Sequence, residues 1–177
     1  MNLKMKVNYL LYHYFAKKLP PSNIQPNIGQ KKIRYFFAKS LISHMGKNVN
    51  IEQGSVFTRD LIIGDNSGLG INSKVTRGVE IGDNVLMGPN CFLCTESHEF
   101  ERTDIPIIQQ GFKDVKSIKI KNDVWIGQNV IILPGVTIEK GCIIGAGSVV
   151  TKNIPEFSIV GGNPAKIIKK RDKSDNF

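Results

Sequence analysis

The 177 residues carry 24 Lys and Arg against 15 Asp and Glu, a formal net charge of +9, and 41% of positions are hydrophobic. That length fits a single domain, and no apolar run approaches the roughly 20 residues a membrane-crossing helix needs. Residues 1–51 hold nine Lys or Arg and no acid, residues 166–177 five basic and two acidic, and residues 52–165 ten basic and thirteen acidic. Charge at the two ends argues against a nucleic-acid binder, which lines one face of the folded body with cations. It fits an anionic cofactor or an anionic membrane surface instead. Cys91, Cys94 and Cys142 offer no disulfide framework and suit a reducing cytoplasm.

Residues 1–19 read as an amphipathic helix with Leu3, Val7, Leu10, Leu11, Tyr14 and Phe15 on one side, stopped by Pro20-Pro21. Lys31 to His44 repeats the pattern with Ile33, Phe36, Phe37, Leu41 and Ile42 at helical spacing. The expectation is a helical cap over 1–44, packed on the open end of the next domain. The competing reading puts its basic, aromatic face against a membrane or a lipid-linked substrate.

From Met45 the period changes to six. Every sixth residue from Met45 to Leu93, and again from Ile120 to Val150, is large and apolar. Every fifth slot is Val, Ser, Cys, Leu or Ile, and Gly recurs in second slots such as Gly64, Gly82, Gly127 and Gly145. This period is neither 3.6 nor 2. It marks a parallel β-helix of hexapeptides, an all-β solenoid in which three hexads make one coil of eighteen residues. Fifteen hexads predict about five coils over residues 45–155, each burying its inner face only by stacking on its neighbours.

The period breaks once, at Glu99–Lys119, a charged stretch too long to be a mere connector. His98, at the lip of this excursion, is the lone histidine of the repeat and falls in an outward sixth slot. A side chain so placed is a candidate general base. Trp125 occupies the same slot in the first hexad after the loop and is expected either at a subunit contact or as the wall of a ligand pocket. Glu96 and Glu99 flank His98, and either could orient its imidazole. After Ile154-Pro155 come a turn at 161–165 and a basic tail, taken as a C-terminal segment of residues 156–177.

Asn122-Asp123-Val124-Trp125-Ile126-Gly127, Gly145-Ala146-Gly147-Ser148-Val149-Val150-Thr151-Lys152 and Gly162-Asn163-Pro164-Ala165-Lys166 resemble the hexapeptide-repeat acyltransferases. The nearest branch is the maltose, galactoside and capsular-polysaccharide O-acetyltransferase type. The resemblance implies a left-handed coil, a homotrimer with sites between protomers, and acetyl-CoA as donor with no metal. His98 matches the family's catalytic base and Trp125 the tryptophan near the thioester. Ala146, Thr151 and Lys152 match contacts to the coenzyme arm, and Lys166 and Lys169 match contacts to its phosphates. The acceptor-holding Asn and Asp of the galactoside type fall on Gly70 and Val75, which leaves Asn72, Arg77 and Glu99 as acceptor candidates.

The expectation is a cytoplasmic O-acetyltransferase acting on a cell-envelope saccharide, working at the inner face of the membrane. The rival readings are a streptogramin- or chloramphenicol-type antibiotic O-acetyltransferase and a non-catalytic scaffold. A metal-dependent hydratase on the same frame needs three histidines between protomers, and the coils carry one.

Overall fold

The structure is a computed structural model that describes residues 3–171. Helix α1 (Leu3–Tyr14) runs into a single 3-10 turn, Ala16–Lys18, and helix α2 (Gln30–Lys39) follows. The strands then come in chain order. The first eight are β1 (His44–Met45), β2 (Asn50–Ile51), β3 (Ile62–Ile63), β4 (Gly68–Leu69), β5 (Lys74–Val75), β6 (Val79–Ile81), β7 (Leu86–Met87) and β8 (Phe92–Leu93). A second 3-10 turn, Ile107–Gln109, lies within the excursion. Beyond it are β9 (Ile118–Ile120), β10 (Trp125–Ile126), β11 (Ile131–Ile132), β12 (Thr137–Ile138), β13 (Ile143–Ile144), β14 (Val149–Val150), β15 (Ser158–Gly161) and β16 (Lys166–Lys170).

The sheets show why the period is six. Strands β1-β3-β6-β9-β12 form one parallel sheet, β7-β10-β13-β15 with antiparallel β16 a second, and β5-β8-β11-β14 a third, while β2 pairs with β4. Successive strands of one chain therefore belong to different sides, and each side is revisited after three hexads. The first slots form the core columns. Ile63, Ile81, Ile120 and Ile138 are buried on one side, Leu69, Met87, Ile126 and Ile144 on the next, and Val75, Leu93, Ile132 and Val150 on the third.

Fifth-slot serines are tolerated inside because they are satisfied. Ser67 Oγ donates to the Gly82 carbonyl at 2.7 Å and accepts from the Val85 amide at 2.9 Å, so its corner is tied to the coil above. The same corner uses asparagine. Asn48, Asn66 and Asn84 all adopt positive φ, and their side-chain amides form a ladder, Asn48 Nδ2 to Asn66 Oδ1 at 3.0 Å and Asn66 Nδ2 to Asn84 Oδ1 at 3.2 Å. Asn accepts the left-handed conformation more readily than other non-glycine residues. Gly88 answers a different demand, close approach, since a Cβ there would stand 2.7 Å from the Gln128 amide nitrogen.

Four expectations change. The predicted apolar face of α1 points to solvent: Leu3, Val7, Leu10, Leu11, Tyr14 and Phe15 are all exposed, and Tyr12 and Ala16 are the buried residues. In α2 Ile33 and Phe37 pack against the core, and Leu41 and Ile42 just beyond the helix are buried as expected. The fully buried stripe, however, is Gln30, Arg34 and Ala38, and Phe36 is 67% exposed. Helix α2 can bury polar groups because every one is paired. Arg34 donates to the Ile51, Leu19 and Pro20 carbonyls, to Ser22 Oγ and to Glu52 Oε2. Gln30 donates to the Pro21 and Ile24 carbonyls.

The excursion leaves and rejoins two to three residues earlier than the period suggests. Val79, Glu80 and Ile81 pair with Ile118, Lys119 and Ile120, so Ile118 takes the inward place expected for Ser97. Finally, the segment after Pro155 is not a free tail. Strand β15 continues the second sheet beyond β13, and β16 folds back on it.

Candidate active site

The excursion is a built hairpin. Thr95 is the last residue seated in the coil, where its hydroxyl donates to the Arg77 carbonyl at 2.6 Å. The legs then pair antiparallel: the Lys116 amide donates to the Thr95 carbonyl, Lys113 to Ser97 and Glu99 to Gly111. His98 and Phe112 face each other across this ladder with ring centroids 4.3 Å apart. Gln110 ties the outer loop by donating to the Arg102 and Ile105 carbonyls. His98 is thus held on the hairpin leg, its ring against Phe112 and the residue otherwise exposed.

Both neighbouring carboxylates are engaged elsewhere. Glu96 pairs with Arg77 at 2.6 Å, and Glu99 lies 3.9 Å from Lys113, which also holds Glu101 at 3.0 Å. Among the described residues nothing hydrogen-bonds the imidazole of His98. Both ring nitrogens are free to meet a substrate.

A second feature lies on the outer face of the second sheet. The register aligns Leu86, Trp125, Ile143, Ile159 and Lys169 in one column across β7, β10, β13, β15 and β16. At strand spacing the column runs about 19 Å. Its first four residues are apolar and its fifth is a cation. Leu86 and Trp125 remain 65% and 52% exposed, which leaves a wide apolar strip open. An extended ligand with an apolar arm and an anionic end matches this strip in length and polarity.

The description "Bacterial transferase hexapeptide (six repeats)" fits residues 60–95 and 117–152, and the gap between them coincides with the hairpin. Over nearly the whole chain the fold is that of a solved galactoside acetyltransferase in complex with coenzyme A. That structure is 30% identical and has a TM-score of 0.78, with 98% of this chain and 82% of that one covered. This chain belongs to the hexapeptide-repeat transferases.

Among curated relatives, galactoside O-acetyltransferase of Lactococcus lactis is 33% identical over 73% of this chain and 56% of its own length. Chloramphenicol acetyltransferase of Agrobacterium fabrum is 42% identical over 49% of this chain and 39% of its own. The matches span only 30–40% of the length of the first curated relatives.

Within this hexapeptide transferase the expected site residues fall into separate groups. Arg77 and Glu99 lie with His98 at the hairpin foot. Trp125 and Lys169 share the outer column of the second sheet. Ala146 and Lys166 flank the corner where the turn after Gly161 docks on β14, the Ala165 amide donating to the Val149 carbonyl at 2.9 Å. Thr151 and Lys152 are exposed at the other end of β14.

Asn72 is not near His98. It lies at the opposite end of β5 from Arg77, in a 450 Å³ recess with His13, Lys17, Lys18, Gln53 and Gly54. Gly70 and Val75 are core elements, Val75 being 1% exposed.

The period gives His98 and Trp125 the same slot, but Trp125 lies in the second sheet while His98 stands on the hairpin leg at the entrance to the first, where Lys119 takes the slot. Sequence reasoning missed Phe112, for which no signal existed, the Leu86 and Ile143 partners of Trp125, and Ile159 beyond them. Stacking the chain in steps of eighteen would have found Ile143.

Proposed function

We propose that this chain is a cytoplasmic acetyl-CoA-dependent O-acetyltransferase that acts on a saccharide hydroxyl. His98 is the general base, and the sites lie between the left-handed coils of a homotrimer. The observation that carries the reading is the likeness, across 98% of this chain, to a galactoside acetyltransferase that holds coenzyme A. The outer column supports it from this chain's own residues: Trp125, Ile143 and Ile159 suit an apolar arm, and Lys169 with Lys166 suits phosphates. Ala146, Thr151 and Lys152 complete the donor contacts. Because His98 and Trp125 stand on different sides of one prism, a site that uses both needs two prisms side by side.

His98 accepts a hydrogen bond from the acceptor hydroxyl and takes its proton as the oxygen bonds to the thioester carbonyl carbon. As the carbon–sulfur bond breaks, His98 returns that proton to the leaving thiolate. Phe112 fixes the imidazole plane throughout. Arg77 and Glu99, at the hairpin foot, are the acceptor-side residues. No acyl-enzyme is needed, and Cys91 and Cys142 are buried with thiols pushed up by desolvation.

His98→Ala should lower acceptor-dependent release of free thiol from acetyl-CoA by roughly 10²–10⁴-fold. Oligomer mass and coenzyme binding should stay unchanged. Turnover within a few-fold of wild type would remove His98 from the mechanism. The likeness to a chloramphenicol acetyltransferase favours one second reading, an antibiotic acceptor. The same thiol assay run over sugars, lipid-linked glycans and chloramphenicol separates the two.

A further inference from the structure

We propose that the outward face of α1 is a docking surface for an anionic lipid bilayer, on which the helix lies flat. This is independent of the acetyl-transfer reading. A helix that caps a core normally buries its apolar side, and α1 does the reverse. Its inner contacts are made by Met5, Asn8 and Tyr12, with Ala16 of the following 3-10 turn buried beyond them. Asn8 Nδ2 donates to Ser40 Oγ at 2.9 Å, and the Tyr12 hydroxyl donates to the Ser55 carbonyl at 3.3 Å.

The solvent side holds Leu3 (78% exposed), Leu10 (53%) and Tyr14 (72%) together with Val7 and Leu11. At about 100° per residue these five cover an arc of roughly 100°, extended by Phe15 just beyond the helix. Lys4 stands at one edge of that arc and Lys6 at the other, both exposed. This is the cross-section of an interfacial helix, apolar side chains in the acyl boundary and lysines at headgroup level.

Charge selects the occupant. The sequence from residue 1 to 51, which includes α1, α2 and the first two strands, carries nine Lys or Arg and no acid. A symmetric contact with a second copy would bring these lysines against their own equivalents. An anionic surface is complementary to the exposed Lys4 and Lys6 that border the apolar arc, whereas Arg34 is buried against Glu52 and takes no part. The helix is 12 residues long, about 18 Å, and no helix among the described residues is long and apolar enough to cross a membrane.

The test is flotation of the full chain with vesicles of mixed phosphatidylglycerol and phosphatidylcholine, and with phosphatidylcholine alone. The chain should float with the anionic vesicles, lose most of that binding in high salt, and stay behind with the zwitterionic ones. Val7→Glu with Leu10→Glu should cut partitioning by about tenfold or more without altering the melting transition, because both side chains are exposed. Lys4→Gln and Lys6→Gln should each cost roughly fivefold. Failure of wild type to float, equal flotation of the double variant, or equal binding to both vesicle types would overturn the proposal. So would a loss of oligomer mass in the double variant by light scattering, which would assign the face to a second copy.

Discussion

Arg34 is the residue whose loss should cost the fold most for a single side chain outside the coils. It is 0% exposed, and its guanidinium donates to three backbone carbonyls, to Ser22 Oγ and to Glu52, whose side chain is 16% exposed. Arg34→Ala leaves Glu52 without its cation in a nearly dry site. Breaking such a pair by removing one partner costs about 3–5 kcal/mol. The orphaned carbonyls do not add in full, because water follows into the space the side chain vacates. For a chain of this length each kcal/mol lowers the melting temperature by roughly 2–4 °C, so the expected drop is about 6–20 °C.

Arg34→Lys should fall between, since three donors on a flexible stem replace five in a planar fork. A double replacement, Arg34→Met with Glu52→Leu, should recover much of the loss, because neither charge is then left unpaired. The assay is thermal melting followed by circular dichroism, with limited proteolysis reporting on the helical segment. If Arg34→Ala melted within about 2 °C of wild type with residues 3–43 equally protected, Arg34 would not be the tie between helices and coils.

Lys169→Glu should weaken coenzyme A binding by about tenfold or more in calorimetry, and the gap from wild type should narrow in high salt; equal affinities would take the outer column out of donor binding. Gly88→Ala should destabilise by about 1–3 kcal/mol in denaturant titration, because its Cβ would meet the Gln128 backbone rather than a movable side chain. Burial, and after it the charge of Lys17, hold His13 below its ordinary 6.5. Below that pH the unfolded chain binds more protons than the folded one, so stability should fall as pH drops through the window just under 6.5. His13→Gln should flatten that slope, and an unchanged slope would show that His13 does not set it.

The coils were legible because each inward slot meets the same environment in every turn, so one chemical rule is repeated and errors average out. The helical cap offers no such repetition. The apolar face of α1 turns outward, and in α2 Arg34 and Gln30 take the interior beside Ile33 and Phe37 by pairing with carbonyls that only the folded connection supplies. The hairpin shows a related limit. Period six extended the hexad to His98, but pairing places Lys119 beside Glu80, so the strand position belongs to Lys119 and His98 stands on the hairpin leg.

The pairing of His98 with Trp125 is the most instructive case. Period six tells inward from outward, and Trp125 does face outward, but Lys119 holds the sixth slot that the period assigns to His98. Which side of the prism a residue faces is carried by the period of eighteen, and by that count the two belong to different sheets. The same count aligns Trp125 with Ile143, and the ladder extends the column to Lys169. A repeat of six therefore describes a frame that any hexapeptide protein shares. The repeat of eighteen describes a surface particular to this chain, with an apolar strip ending in a cation on one side and an unpaired histidine at the edge of another. The two features lie on different sides of the prism, and no single sheet ladder joins them.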